Sequence, residues 1–346
     1  MIVSVVSMPG GTVTRTDMSE ARQRLAESDF LLVDIQLPDE PTPEEQPIVH
    51  QLGLEPERLT WFGRAGEPAR AEFLGDRAGF VVPVIEGDQV AHVHAVVTER
   101  QLITVHRGPV RALAGLTARL GQERPPDTAA VLFLLLQDAL ETFRRNAVQA
   151  LLAVEDLEDE MFEQRRPEQI YRLARLRRRA ALLHHSLLPY LQVTDELFTR
   201  RMLSRSFPEE RQRLAREFQH AARLVLTEIE SLQDAARRAF ASHASLVSGE
   251  QNGVINRLAI VSTIFLPLTF LTGFFGMNFS YLTNELESRA VFWLLAVGLQ
   301  ASVLFVALYV LHRTQIWRRL RDEEGPEERR RSEGTVSPHA RRTGRR

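Results

Sequence analysis

Cysteine is absent from the 346 residues, and so is lysine, all 43 basic residues being arginine. The first absence excludes a disulfide framework and any thiolate metal site, and leaves the redox compartment open. The second excludes a Gly-x-x-x-x-Gly-Lys phosphate loop, and with it nucleotide-driven pumping. Arginine-only usage reads as GC-rich coding, since no single binding site could demand it. An excess of one charge sign is also lacking: the formal net charge of -2 argues against a dedicated nucleic-acid binder. No Ser/His/Asp spacing, no His-Glu-x-x-His and no Gly-rich phosphate loop occurs, so neither an enzyme nor an organic cofactor is expected. The first residues have no basic n-region and no full apolar h-region, which places the N-terminal part in the cytoplasm.

What the sequence does have is one long uncharged run, residues 258–278, LAIVSTIFLPLTFLTGFFGMN. About 20 apolar residues let an α-helix cross the hydrocarbon of a bilayer, so the run predicts a spanning helix. A spacing of 3.5 from just upstream collects Asn252, Ile255, Ala259, Ser262, Leu266, Thr269, Gly273 and Gly276 on one face. That face is mostly small or polar, while Ile260, Ile264, Phe265, Leu268, Leu271 and Phe274 flank it with bulk. Two readings compete: close helix packing through small residues, or the wall of a wet path. A second apolar run, 290–311, predicts a second span. The connection 279–289 carries Glu285 and Glu287 against Arg289 and is acidic. Positive charge lies at the other ends, at Arg257 and at His312, Arg313, Arg318, Arg319 and Arg321, which puts both termini in the cytoplasm of a multi-pass inner (plasma) membrane protein. The polar, Arg-rich tail 312–346 predicts disorder.

Upstream, residues 1–125 show mixed signals. Apolar runs at 30–35, 80–85, 90–97 and 101–106, with hairpin-length connections at 86–88 and 98–100, predict a mainly antiparallel sheet flanked by helices. The run 131–136 is too short to span and predicts a core helix. Pro125-Pro126 marks a joint, after which 126–206 turns helical, with Leu140, Phe143, Val148, Leu151, Leu152, Leu157 and Phe162 as the apolar face. Arg165-Arg166-Pro167 breaks it into an acidic helix (Glu155, Asp156, Glu158, Asp159, Glu160) and a basic one (Arg172, Arg175, Arg177, Arg178, Arg179), an antiparallel hairpin held by opposed charge. Pro208-Glu209-Glu210 starts a helix. Leu214, Phe218, Ala221, Val225, Leu232, Ala236, Ala239 and Leu246 form its apolar face, and no proline interrupts it before Pro267. The fold class is therefore an α+β cytoplasmic domain with a long stalk helix, 207–257, continuing into a two-helix transmembrane region. His92 and His94, two apart on a strand, could hold a metal but lack a third ligand; His184 and His185 point to different sides of a helix.

Phe275-Gly276-Met277-Asn278-Phe279, preceded by Phe265-Leu266-Pro267-Leu268-Thr269-Phe270, resembles the CorA family of magnesium/cobalt transporters, whose signature is Gly-Met-Asn closing the first of two spans. The soluble part is similar too, at 30–38, 52–54, 72–76 and 102–106. The resemblance implies a homopentamer in the lipid bilayer that passes hydrated Mg²⁺, with Co²⁺ or Zn²⁺ as other cargo. It assigns ion selection to Gly276, Met277 and Asn278, polar pore positions to Asn252 and Thr269, and a hydrophobic constriction to Leu258 and Leu266. Glu285 and Glu287 would concentrate cations outside. Glu217 matches one acid of the family's regulatory metal site, whereas the partner acids are replaced by Leu59-Thr60-Trp61-Phe62. Two rivals remain: the zinc-transporting branch of the superfamily, against which the intact Met277 weighs, and a membrane-anchored structural or signalling protein whose stripe only packs.

Overall fold

The computed structural model describes residues 1–8, 10–27, 30–40, 48–54, 58–75, 77–202, 208–277, 290 and 292–313. Asn278, the connection 279–289 with Glu285 and Glu287, and the tail from 314 lie outside the described residues. The chain divides into two compact units, Met1–His243 and Ala244–Arg346.

The first unit is built on a seven-stranded sheet. Its strands are β1 (Ile2–Ser7), β2 (Thr12–Thr16), β3 (Leu31–Leu37), β4 (Ala71–Leu74), β5 (Arg77–Glu86), β6 (Gln89–Val97) and β7 (Gln101–Arg107), in the order β2-β1-β3-β7-β6-β5-β4. Every neighbouring pair is antiparallel except β3 with β7, which is parallel. The runs read from sequence become β3, β5, β6 and β7; β1, β2 and β4 were not anticipated. One face packs with α1 (Met18–Ala26), α2 (Ile48–Leu52) and the segment carrying Leu59, Trp61 and Phe62, around Val5, Val33, Ile35, Val81 and Val105. Helices α4 (Thr128–Glu163) and α5 (Glu168–Met202) pack on β5, and α3 (Arg111–Glu123) packs on α4. Both faces of β5 are covered, which is why residues 78–85 are buried without alternation.

Pro83 sits inside β5, where a missing N–H needs an explanation. The Val81 amide donates to the Arg70 carbonyl at 2.9 Å on the β4 side. Position 83 faces the same side, but the β4 ladder ends at Phe80. Two residues on, the Ile85 amide donates to Thr142 Oγ1 of α4 at 3.0 Å. The proline therefore occupies the one inward-facing position between two acceptors.

Helix α4 is capped by Asp127, whose carboxylate accepts from the Ala130 amide at 2.9 Å. It ends at Glu163 and α5 begins at Glu168, bracketing the Arg-Arg-Pro break. The run 131–136 is a core segment of α4, with Val131, Phe133, Leu135 and Leu136 buried. Helix α6 (Glu209–Phe275) starts directly after Pro208 and runs 67 residues through Pro267. Phe133, Phe143, Tyr190, Phe198 and Phe218 form the aromatic centre of the helical layer, with ring centroids 5.2–6.3 Å apart. The Tyr190 hydroxyl donates to the Leu136 carbonyl at 2.8 Å, and burial lifts its pKa well above the ordinary phenol value.

Three expectations about these helices need correction. Val148, Leu152 and Phe162 of α4 are exposed, while Ala147, Ala150, Val154 and Met161 lie inside. On α6, Ala222 and Ile229 are buried and Ala221 is exposed. Neighbouring apolar residues made the phase ambiguous, and packing against the sheet and the other helices chose between them. The hairpin is also not held mainly by opposed charge. Glu160 pairs with Arg172 at 2.5 Å, but both are about half exposed, a setting worth under about 1 kcal/mol. The stronger tie is Arg179 of α5, only 12% exposed. Its guanidinium donates to the Gly87 carbonyl in the β5–β6 turn and to Asn146 Oδ1 of α4 at 2.5 Å, and lies 3.2 Å from Asp88.

In the second unit, the last part of α6 is accompanied by a π-helical segment, Phe292–Gly298, and by α7 (Leu299–Arg313). Among the described residues one helix, Glu209–Phe275, is long and apolar enough to cross a membrane. The run 290–311 is thus not a single regular helix: it changes from π to α geometry at Gly298.

Because hydrogen bonds to a charged, buried donor contribute roughly 1.5–3 kcal/mol each, Arg179→Met should lower the unfolding free energy by about 2–4 kcal/mol in denaturant titrations. Arg172→Met should cost less than about 1 kcal/mol. Equal losses would return the hairpin to the charge-clusters explanation.

Candidate ion pathway

The candidate path lies on the last part of α6. Asn252, Ile255, Leu258, Ala259, Ser262, Leu266, Thr269, Gly273, Gly276 and Met277 are all exposed. The opposite side, Ile260, Ile264, Pro267, Leu268, Leu271 and Phe275, is half-buried. One side of the helix therefore packs within the unit, while the stripe and the bulky residues beside it, Val261, Phe265, Phe270 and Phe274, are open. A groove of about 710 Å³ runs along the stripe, lined by Ser262, Phe265, Leu266, Thr269, Phe270, Gly273, Phe274 and Met277. Three of those, Phe265, Phe270 and Phe274, were read as flank or not singled out at all. Phe270 and Phe274 stack with centroids 6.4 Å apart, forming one wall.

Three threonine hydroxyls on this part of the helix are already committed as donors. Thr263, Thr269 and Thr272 each donate to the carbonyl four residues back, at Ala259, Phe265 and Leu268, all at 2.8 Å. With its proton spent inside the helix, Thr269 presents an oxygen to the groove as an acceptor only. Such an oxygen suits a water molecule that is itself donating. At the end of α6 the Gly276 amide donates to the Thr272 carbonyl at 3.0 Å and the Met277 amide to the Phe274 carbonyl at 3.3 Å, so the ladder shortens from four residues to three. A Cβ at Gly276 would stand 3.1 Å from the Thr272 oxygen. Glycine permits that approach.

Sequence reading missed Gln300, a carboxamide in the second apolar run. Its Nε2 donates to Thr272 Oγ1 at 3.1 Å, linking α7 to α6. A lone Gln in an uncharged run was the available signal.

The other candidates fall elsewhere. Glu217 is an exposed carboxylate of α6 ion-paired with Arg213 at 2.8 Å. No group of three His, Cys, Asp or Glu that could hold a metal occurs among the described residues. The acids of α4 are exposed or half-buried, and Glu160 belongs to the Arg172 pair. His184 is half-buried and His185 exposed. The pairing of His92 with His94 as metal ligands is overturned. His94 is 2% exposed, its Nδ1 accepts from the Gly63 amide at 3.1 Å, and its Nε2 faces the Arg64 carbonyl at 3.1 Å. Both ring nitrogens are used, which fixes the neutral Nε2–H tautomer and leaves no lone pair for a metal. Burial pushes its pKa down to about 4.

A family profile described as CorA-like Mg2+ transporter protein matches residues 27–313. The cobalt/magnesium transport protein CorA of Thermotoga maritima is 30% identical over 130 residues, 37% of this chain and 36% of that protein. The match thus spans about a third of that relative's length. The zinc transport protein ZntB of Yersinia enterocolitica is 25% identical over 302 residues, 80% of this chain and 90% of that protein. The complete structure of the CorA magnesium transporter from Methanocaldococcus jannaschii superimposes with a TM-score of 0.74 at 18% identity, over 90% of this chain and 98% of that one.

His94 also generates a pH dependence. Unfolded, it takes up a proton near the ordinary value of 6.5; folded, only near 4. Between those values the unfolded state binds more protons, so stability is full above pH 6.5 and falls as the pH drops towards 4. We expect the full-length chain to lose on the order of 2–3 kcal/mol from this group by pH 4.5, a slope missing in His94→Gln. Parallel pH profiles of the two proteins in denaturant would remove His94 from the account.

Proposed function

Because the chain belongs to the family of CorA-like Mg2+ transporter proteins, we propose that it carries divalent cations, Mg²⁺ foremost and Co²⁺ with it, through a membrane path walled by the 252–278 face of several copies. The observation that carries this reading is the open stripe of α6, whose hydroxyl Thr269 faces the groove with an acceptor oxygen. Mg²⁺ holds its water shell tightly and in octahedral geometry. The shell's waters point their protons outward, so an acceptor-lined wall matches the hydrated ion. A stripe exposed along one chain encloses nothing by itself. Closure needs copies around an axis, and five is the number the resemblance implies.

In this reading Gly276, Met277 and Asn278 form the selecting ring, with carbonyl and carboxamide oxygens gripping the water shell. Leu258 and Leu266 narrow the path, Asn252 and Thr269 supply polar rungs, and Ile255, Ala259, Ser262 and Gly273 keep it open. Glu285 and Glu287 draw cations to the entrance. Glu217 enters only as a carboxylate whose Arg213 pair a regulatory cation must displace. Cargo moves down its electrochemical gradient across the inner membrane, with both termini in the cytoplasm.

A zinc-carrying alternative is favoured by one observation, the long match to a protein named for zinc transport. Purified protein in liposomes, offered Mg²⁺ and Zn²⁺ separately, distinguishes the two. We expect Mg²⁺ entry that hexaamminecobalt blocks and that Asn278→Ala reduces by at least about tenfold, equivalent to about 1.4 kcal/mol. Zn²⁺ entry without Mg²⁺ moves the chain to the zinc reading. No flux of either ion rejects transport.

A further inference from the structure

Gln300 is the only carboxamide between residues 292 and 311. In hydrocarbon an unbonded carboxamide is costly, so its partner is informative. That partner, Thr272, is bonded in three directions. Its hydroxyl donates to the Leu268 carbonyl at 2.8 Å and accepts from Gln300 Nε2 at 3.1 Å. Its backbone carbonyl accepts the Gly276 amide at 3.0 Å, and the same oxygen is the nearest neighbour of any Cβ added at Gly276. One residue therefore joins α7, the preceding turn of α6 and the first member of the Gly-Met-Asn triplet.

The π segment explains how Gln300 comes to face Thr272. It ends at Gly298, two residues before the glutamine. A π turn, closing on i+5 instead of i+4, advances the chain less in angle per residue, so it resets the phase of the α-helix that follows. Gln300, Val303 and Ala307 then form the half-buried face of α7.

We propose that Gln300 is a positioning residue for the ion path: acting through Thr272, it fixes the turn that carries Gly273 and Gly276 and thereby sets the width of the path at the triplet. The proposal rests on the reading of the α6 stripe as an ion path. Gln300 does not touch the ion. Its removal lets the end of α6 relax, which lowers divalent flux and also loosens discrimination against monovalent ions.

Two measurements on the full-length chain test this. In proteoliposomes, Gln300→Leu and Thr272→Val should each lower Mg²⁺ flux about 3- to 15-fold, the range of membrane-buried polar contacts, and raise Na⁺ leak relative to Mg²⁺. The double variant should be no worse than either single one, and Thr272→Ser, which keeps the oxygen, should retain flux. The second measurement uses the absence of cysteine. A Cβ at Gly273 meets nothing within 4 Å in its own chain, so Gly273→Cys places a single thiol on the groove, and its labelling is read without requiring that flux survive. Its rate of labelling by a charged methanethiosulfonate should change severalfold when Gln300→Leu is added. Normal flux and selectivity in both single variants with unchanged labelling overturns the positioning role and leaves transport standing, as does a fully additive double variant. If the wild-type chain carries no divalent cation, the ion path falls and the proposal with it, and a shifted labelling rate then shows only that Gln300 orders the turn at Gly273.

Discussion

Hydrocarbon offers no hydrogen bonds, and that constraint bears hardest on the apolar end of α6 and on α7. In such a medium a polar side-chain group must be bonded within the protein or face something wet. Thr263, Thr269, Thr272 and Ser302 meet the requirement by returning their protons to the carbonyl four residues back, and Gln300 meets it by reaching across to Thr272. After this accounting the Thr269 oxygen, which lines the groove, keeps acceptor capacity for water.

The same accounting governs the first unit. Pro83 is tolerated where β4 has ended and no carbonyl waits for its missing proton. His94 is buried because the Gly63 amide and the Arg64 carbonyl satisfy both nitrogens. Arg179 is buried because two carbonyl-type oxygens and the Asp88 carboxylate converge on it. Asp138, half-buried between α3 and α4, shows the limit of such pairing. Its carboxyl is held above the ordinary range because burial outweighs the nearby Arg119.

Local pattern carried much of the fold. The β-branched runs that became β5 to β7, the breaks at Pro167 and Pro208, and the small-residue stripe of α6 were readable because each depends on residues within one or two turns. The parallel pairing of β3 with β7 was not, since nothing near Leu31 announces a partner at Gln101. Helix phase failed where apolar residues adjoin, as at Ala147 and Val148 or Ala221 and Ala222, because periodicity cannot choose between neighbours. The histidine pair misled because the groups that satisfy His94 lie about 30 positions earlier in the chain. On the candidate groove, Ser262, Leu266, Thr269 and Gly273 were placed together by their spacing while the phenylalanines beside them were not, and the Gln300–Thr272 contact depended on a π segment that no hydrophobic period reveals.

The single parallel seam of the sheet has a consequence for how the protein is made. β1 to β3 form one local antiparallel group with β1 in its centre, β4 to β7 form a meander, and the two meet only where β3 pairs with β7, seventy residues apart in sequence. Closing so long a loop is the slow step of such a topology. During synthesis the first group leaves the ribosome with the apolar edge of β3, Leu31 to Ile35, uncovered until β7 has followed it. An open edge of that kind invites pairing with another nascent chain. The interval between the two strands is therefore the period in which misassembly competes with folding.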